Sequence, residues 1–221
     1  MCSYNDTSAS ISSLFTISFD SGSGQYSNNT PARFGFSTTY SQKFQPNIND
    51  GQFGIVNSVP NSFALWQAGA LDHTPGDTGG YMLLVNADYT PGRVFNATID
   101  FLCNGSSYEI SVYLANIMKP SSSIQPNITF EVRTATSDNA VLARLSTGAV
   151  PMYPNVTWTK YGMSFVTNVS SVMILMTSNA PGGGGNDFVI DDIELRTCAK
   201  PGLQICPLGM FIDEFINSWE E

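Results

Sequence analysis

Apolar and polar residues alternate over short runs of this chain, the period-2 pattern of half-buried β-strands. In Phe95-Asn96-Ala97-Thr98-Ile99-Asp100-Phe101 the apolar side chains share one face and Asn96 lies on the other. Pro126-Asn127-Ile128-Thr129-Phe130-Glu131-Val132 repeats the pattern around Asn127. Comparable runs, rich in Val, Ile, Phe, Tyr and Thr and bounded by Gly, Pro, Asn or Ser, lie near 11–19, 33–39, 53–57, 81–86, 94–102, 108–117, 127–134, 140–146, 156–166, 171–177 and 187–196. About ten such strands predict an all-β sandwich of two antiparallel sheets. No twelve-residue stretch within 1–200 carries a helical period, which excludes an α/β fold.

The end of the chain changes period. Ala199-Lys200-Pro201-Gly202 breaks the strand pattern after Cys198. Leu208, Phe211, Ile212, Phe215, Ile216 and Trp219 then recur at helical spacing, with Asp213, Glu214, Asn217 and Glu220 off the stripe. Burying six such side chains would contribute on the order of 10 kcal/mol, so the stripe is expected to dock. The expected division is an N-terminal extension over 1–12, the sandwich over 13–198, and a linker with a short amphipathic helix or tail over 199–221.

Charge narrows the partners. The 221 residues hold 9 Lys+Arg against 18 Asp+Glu, a net charge of −9. A phosphate backbone needs a basic footprint, so nucleic acid is excluded. No apolar run reaches the length of a membrane span. The acidic polar face of the tail also argues against a membrane surface and for a protein groove.

The compartment follows from cysteines and sequons. Cys2, Cys103, Cys198 and Cys206 include no CxxC spacing, and four cysteines allow three pairings. Asn-x-Ser/Thr occurs at Asn5, Asn28, Asn96, Asn104, Asn127, Asn155 and Asn168, about twice what chance would place in the chain. Both features imply a secreted or cell-surface protein, in which disulfides persist. An Asn/Ser-rich bacterial surface protein that is never glycosylated is the alternative. The first fifteen residues lack the basic and apolar regions of a secretory signal, so the chain reads as mature or trimmed.

Two segments carry a resemblance. Trp66-Gln67-Ala68-Gly69-Ala70-Leu71-Asp72-His73-Thr74, followed by Gly79-Gly80-Tyr81-Met82, resembles the MAM domain, an extracellular adhesion module. Gly185-Asn186-Asp187-Phe188-Val189-Ile190-Asp191-Asp192-Ile193-Glu194-Leu195-Arg196-Thr197-Cys198 is similar to the last strand of that family and of calcium-binding, carbohydrate-binding jelly rolls. Cys103 and the strand after it look like jelly-roll repeats of large secreted surface proteins. The resemblance spans roughly 13–198, lacks the MAM cysteine arrangement, and implies a jelly-roll, galactose-binding-like sandwich. It further implies a Cys103–Cys198 bridge, leaving Cys2 and Cys206 to pair together or between molecules.

Asp191 shares the period-2 face of Val189, Ile193 and Leu195 and is expected to point inward. A buried carboxylate needs a cation or several donors. Ca²⁺ is the expected cofactor, and the jelly-roll resemblance recruits Asp20 beside Asp191 or Asp192 as its ligands. Backbone N–H groups, Arg196, or a bulge that turns the carboxylate out are the alternatives. His73, the single histidine, could serve as acid–base or metal ligand with Asp72, or sit in a loop bonded to local backbone. No Gly-x-Ser-x-Gly elbow is present, and nothing marks a facing carboxylate pair, Glu109 and Glu131 lying on outer faces; the chain therefore reads as not an enzyme. Gly182-Gly183-Gly184-Gly185 lacks a following Lys-Ser/Thr and is a connector, not a phosphate loop. Trp66, Tyr81, Trp158 and Tyr161 could stack on sugars or fill the core.

Two functions compete. One is an extracellular structural or adhesive subunit that polymerises head-to-tail with copies of itself through its terminal segments. The other is a calcium-dependent carbohydrate-binding module. A MAM-like receptor fragment is a third, and would need a membrane span outside this chain.

Overall fold

The short alternating runs become strands because their β-branched and aromatic residues fit a pleated surface buried on one side. The computed structural model describes residues 12–179 and 184–198. Eleven strands are present there: β1 (Ser12–Ile17), β2 (Ser41–Gln42), β3 (Gln52–Val56), β4 (Met82–Asn86), β5 (Gly92–Ile99), β6 (Ser107–Asn116), β7 (Ile128–Thr134), β8 (Val141–Ser146), β9 (Thr159–Val166), β10 (Val172–Ser178) and β11 (Phe188–Thr197). One sheet runs β2-β3-β4-β11-β6-β9, with β1 also on β11; the other runs β5-β10-β7-β8. β4 pairs the first half of one edge of β11 and β1 the second half. All pairings are antiparallel except β2 with β3. The chain is an all-β jelly-roll sandwich.

The run at 33–39 is not a strand. Pro31 opens a 3-10 turn over Pro31–Phe34, and Gly35, at φ 72, ends it in the left-handed region. Only Ser37 then bridges to Asn96 on β5. Phe36, the apolar residue of that stretch, still reaches the core and stacks on Phe95 at 4.8 Å.

Two apolar clusters hold the molecule together. Between the sheets lie Phe53, Ile55, Leu83, Phe95, Tyr108, Ile110, Leu114, Ile128, Phe130, Ile174, Phe188, Ile190, Ile193 and Leu195, among others. A second cluster sits on the far face of the larger sheet, where Met82, Leu84, Ala115 and Val189 are covered by Ile48, Val59, Trp66 and Met118. Half-buried Met152, Val156 and Trp158 pack against it. The long connection between β3 and β4 is thus a packed cover, and it carries the residues of the candidate site.

Candidate functional site

A bulge in β11 sets the geometry. Register with β6 shifts between Asp191 and Glu194, and Asp192 has φ 47, an uncommon left-handed conformation for a non-glycine residue. Phe188 and Ile190 before the bulge, and Ile193 and Leu195 after it, all face the inter-sheet core. Asp191 stays on the face of Val189, under the cover rather than in the core, and the bulge after it turns Ile193 and Leu195 to the other face. The expected burial holds, at 0% exposure, but of the three apolar neighbours expected on its face only Val189 is there, because a single extra residue reverses a period of two for Ile193 and Leu195.

Three carboxylates of this segment suspend the cover. Asp187 accepts the Trp66 indole N–H at 2.7 Å and the Ala87 amide at 3.2 Å. Burial pushes its pKa up to about 7 against the pull of those donors. Asp191 Oδ2 accepts the His73 and Thr74 amides at 2.8 and 3.2 Å, and its Oδ1 accepts the Asp192 amide at 2.8 Å. It too is raised to about 7, chiefly by desolvation. Asp192 Oδ2 lies 2.7 Å from His73 Nδ1, and its Oδ1 accepts the Thr74 hydroxyl at 2.9 Å.

An aromatic layer continues from His73. Its ring stacks on Tyr113 with centroids 3.5 Å apart and meets Trp158 edge-on at 5.8 Å. Lys160, opposite Tyr113 in the β6–β9 register, places Nζ 5.4 Å from the Tyr113 centroid and 3.6 Å from Glu194 Oε2. Beyond Trp158 a cleft of about 350 Å³ opens between Gln67–Leu71 on one wall and Asn155, Val156 and Trp158 on the other. Gln67 Nε2 donates to the Met118 and Tyr153 carbonyls at 2.9 and 3.0 Å, tying the walls together. No lining side chain is charged, and Leu71 is 65% exposed at the rim. Its binding chemistry is therefore one indole, two amides and aliphatic surface.

A second acidic feature lies beside this layer. Asp72 has its pKa raised to about 6, first by burial and then by the neighbouring Asp77 carboxylate. Both carboxylates crowd the Cα of Gly80, where a Cβ would collide with them. Asp72 also accepts the Thr74 amide at 3.1 Å, the local loop bonding expected of it, whereas His73 and Thr74 reach across to β11.

The other expected site residues fall as follows. Asp20 turns to Asn29 Nδ2 at 3.0 Å and Arg33 Nε at 3.1 Å. Asp191 and Asp192 are ringed by N–H and O–H donors where a cation would need open lone pairs. Among the described residues, no three His, Cys, Asp or Glu side chains group as a metal site. As placed, these residues do not fit Ca²⁺; the backbone amides and the bulge satisfy Asp191 instead. Glu109 lies on the outer face of its sheet as expected, yet is fully buried and paired with Arg196. Glu131 lies on the outer face of the smaller sheet between Arg133 and Arg144.

Cys103 and Cys198 are both buried and disulfide-bonded, at the end of the sandwich where the Cys198 amide donates to Ser107. Asn28, Asn104, Asn155 and Asn168 are exposed, and Asn96 and Asn127 half-buried. Trp66 and Tyr81 are core residues at 1% and 6% exposure, while Trp158 and Tyr161 are half-buried. Cys2, Asn5, Cys206 and the stripe from Leu208 to Trp219 lie outside the described residues. Sequence reasoning missed Asp187 and the cleft. For Asp187 the signal was an acid directly before an apolar strand; the cleft joins segments about 86 residues apart and left no local trace.

No known family model matches the chain, and no curated protein sequence matches it. Solved structures do. A cyclase from Fischerella sp. TAU aligns over 85% of this chain and 98% of its own, at 16% identity and a TM-score of 0.59. The Stig cyclase Fisc of Fischerella sp. TAU, in complex with (3Z)-3-(1-methyl-2-pyrrolidinylidene)-3H-indole, aligns over 84% and 98%, at 17% identity and a TM-score of 0.55. A CBM22-1 xylan-binding domain of Paenibacillus barcinonensis Xyn10C covers 85% and 95%, at 13% identity and a TM-score of 0.45. At such identities the likeness is one of fold.

One expectation is overturned here. The reading that the chain is not an enzyme does not hold, because the sandwich it shares with the Fischerella cyclases is one that enzymes use. Its physical ground fails too. Titratable groups that the sequence did not pair are brought together by folding, Asp192 with His73 and Asp72 with Asp77. Among the described residues no helix is long and apolar enough to cross a membrane.

Proposed function

We propose that the protein is an extracellular glycan-binding module that takes a neutral saccharide in the cleft beside Trp158. The observation that carries this reading is the lining: an indole wall, the amides of Gln67 and Asn155, and no charge. Sugars present C–H faces that pack on aromatic rings and hydroxyls that bond amides and backbone groups. The volume is at the lower end of ligand sites, suited to one or two sugar rings. The sequons and the disulfide-bonded Cys103 and Cys198 support a location outside the cytosol. Affinity electrophoresis through gels containing neutral polysaccharides tests it. Retardation by at least one of them should be lost in Trp158→Ala with the fold intact by circular dichroism; retardation unchanged by Trp158→Ala refutes the reading.

One observation favours a second reading, proton transfer to a ligand that reaches past the cleft lining to the His73 ring, which meets Trp158 edge-on. Asp192 engages His73 Nδ1, which leaves Nε2 as the atom to exchange a proton. Turnover of a cleft ligand that survives His73→Gln would dismiss it.

A further inference from the structure

We infer that an N-linked glycan on Asn155 folds back into the Trp158 cleft and fills it, so that occupancy of this one sequon switches the site between a closed and an open form. The inference rests on the cleft's being a saccharide site. Its basis is position. Of the six sequons among the described residues, only Asn155 contributes its own side chain to the cleft lining, and its neighbour Val156 and the Trp158 wall belong to the same lining. Asn104 and Asn168 flank the far end of the sandwich, where the Gly105 amide meets the Thr167 carbonyl. Asn96 lies on β5 of the smaller sheet, and Asn127 directly precedes β7 of the same sheet.

The attachment point is available. Asn155 is exposed, its side-chain amide has no hydrogen bond within the described residues, and the Thr157 hydroxyl donates to the Asn155 carbonyl at 3.0 Å. Glycosylation joins Asn155 Nδ2 to the anomeric carbon of a lipid-diphosphate-linked sugar; the nitrogen loses a proton and the lipid diphosphate leaves. The first sugars then start at the rim, three residues from the indole. A tether that short holds its ligand at an effective concentration in the millimolar range. A free saccharide of sub-millimolar affinity must displace it, and its apparent affinity falls about tenfold for each factor of ten between that concentration and the tethered ligand's own dissociation constant.

The test uses the full chain from glycosylating eukaryotic cells, with occupancy at Asn155 read by mass spectrometry. Proton spectra of the glycan should show sugar C–H resonances shifted upfield by the indole ring current, and Trp158→Ala should return them to free-glycan values. The same neutral oligosaccharides should bind Thr157→Ala, and enzymatically deglycosylated wild type, about tenfold or more tighter than the glycosylated protein, while Thr157→Ser behaves as wild type. An unmodified Asn155, or sugar resonances at free values that Trp158→Ala leaves unmoved, overturns the inference. Free-saccharide binding that is equal in glycosylated and deglycosylated protein overturns it while leaving the cleft's function standing. Shifted sugar resonances with no free-saccharide binding in any form support self-occupancy and sink the wider function instead.

Discussion

Raising the pH from 5 to 8 should destabilise this protein, the reverse of acid denaturation. Asp187 and Asp191 both have pKa values raised from 3.8 to about 7 by burial. Between those limits the folded state binds more protons than the unfolded one, so stability falls as pH rises through the window and levels off above it. Each pKa unit is worth about 1.4 kcal/mol, and roughly two of the three units fall between pH 5 and 8. Each carboxylate therefore withdraws on the order of 3 kcal/mol over that range. With a urea m-value of about 3 kcal/mol per molar, the pair should lower the denaturation midpoint by about 2 M. Urea titrations at constant ionic strength, followed by indole fluorescence, measure this directly, because Trp66 donates to Asp187. Asp187→Asn and Asp191→Asn should each remove about half of the slope, whatever their effect on absolute stability. A midpoint that holds or rises from pH 5 to 8 in wild type refutes the assignment of these carboxylates as buried and desolvated.

Other consequences are sharper locally. Trp66→Phe keeps the aromatic volume but deletes the N–H given to Asp187, and should cost about 1–3 kcal/mol in urea denaturation with further elevation of the Asp187 pKa. Gly80→Ala forces a methyl onto the Asp72 and Asp77 carboxylates and should lower the melting temperature more at pH 8 than at pH 5, since Asp72, its pKa raised to about 6, carries its charge at the higher pH. Asp192→Ala removes the partner of His73 Nδ1 and Thr74 Oγ1, so hydrogen exchange should accelerate at the His73 and Thr74 amides while the β7 core stays protected. Non-reducing peptide mapping should find Cys103 and Cys198 in disulfides, and the Cys103–Cys198 pairing implied by the jelly-roll resemblance stands or falls on the same map.

Much of the fold was legible because period 2 is hard to disguise. Ile128 to Thr134 and Phe95 to Ile99 alternate cleanly, and the strands lie where the alternation puts them. Pro31 and Gly35 hid the 3-10 turn inside an apolar run, since Phe34 and Phe36 serve the core from irregular backbone as well as a strand would. The second apolar cluster had a signal that went unused. Met82-Leu83-Leu84-Val85 is apolar at every position, the mark of a strand covered on both faces. The bulge at Asp192 had none, and it alone parts Asp191 from the face of Ile193 and Leu195. The cleft was illegible for a different reason: Trp158 reads as any core aromatic until Gln67 to Leu71 is folded against it.

The most direct test of the central claim is an amide chemical-shift titration of the intact, deglycosylated protein with neutral di- to hexasaccharides. Saturable shifts should be confined to residues 67–71 and 155–158, with the Trp158 indole N–H moving most and that of buried Trp66 staying still. Shifts clustered on another surface, or none at millimolar saccharide, would contradict the account.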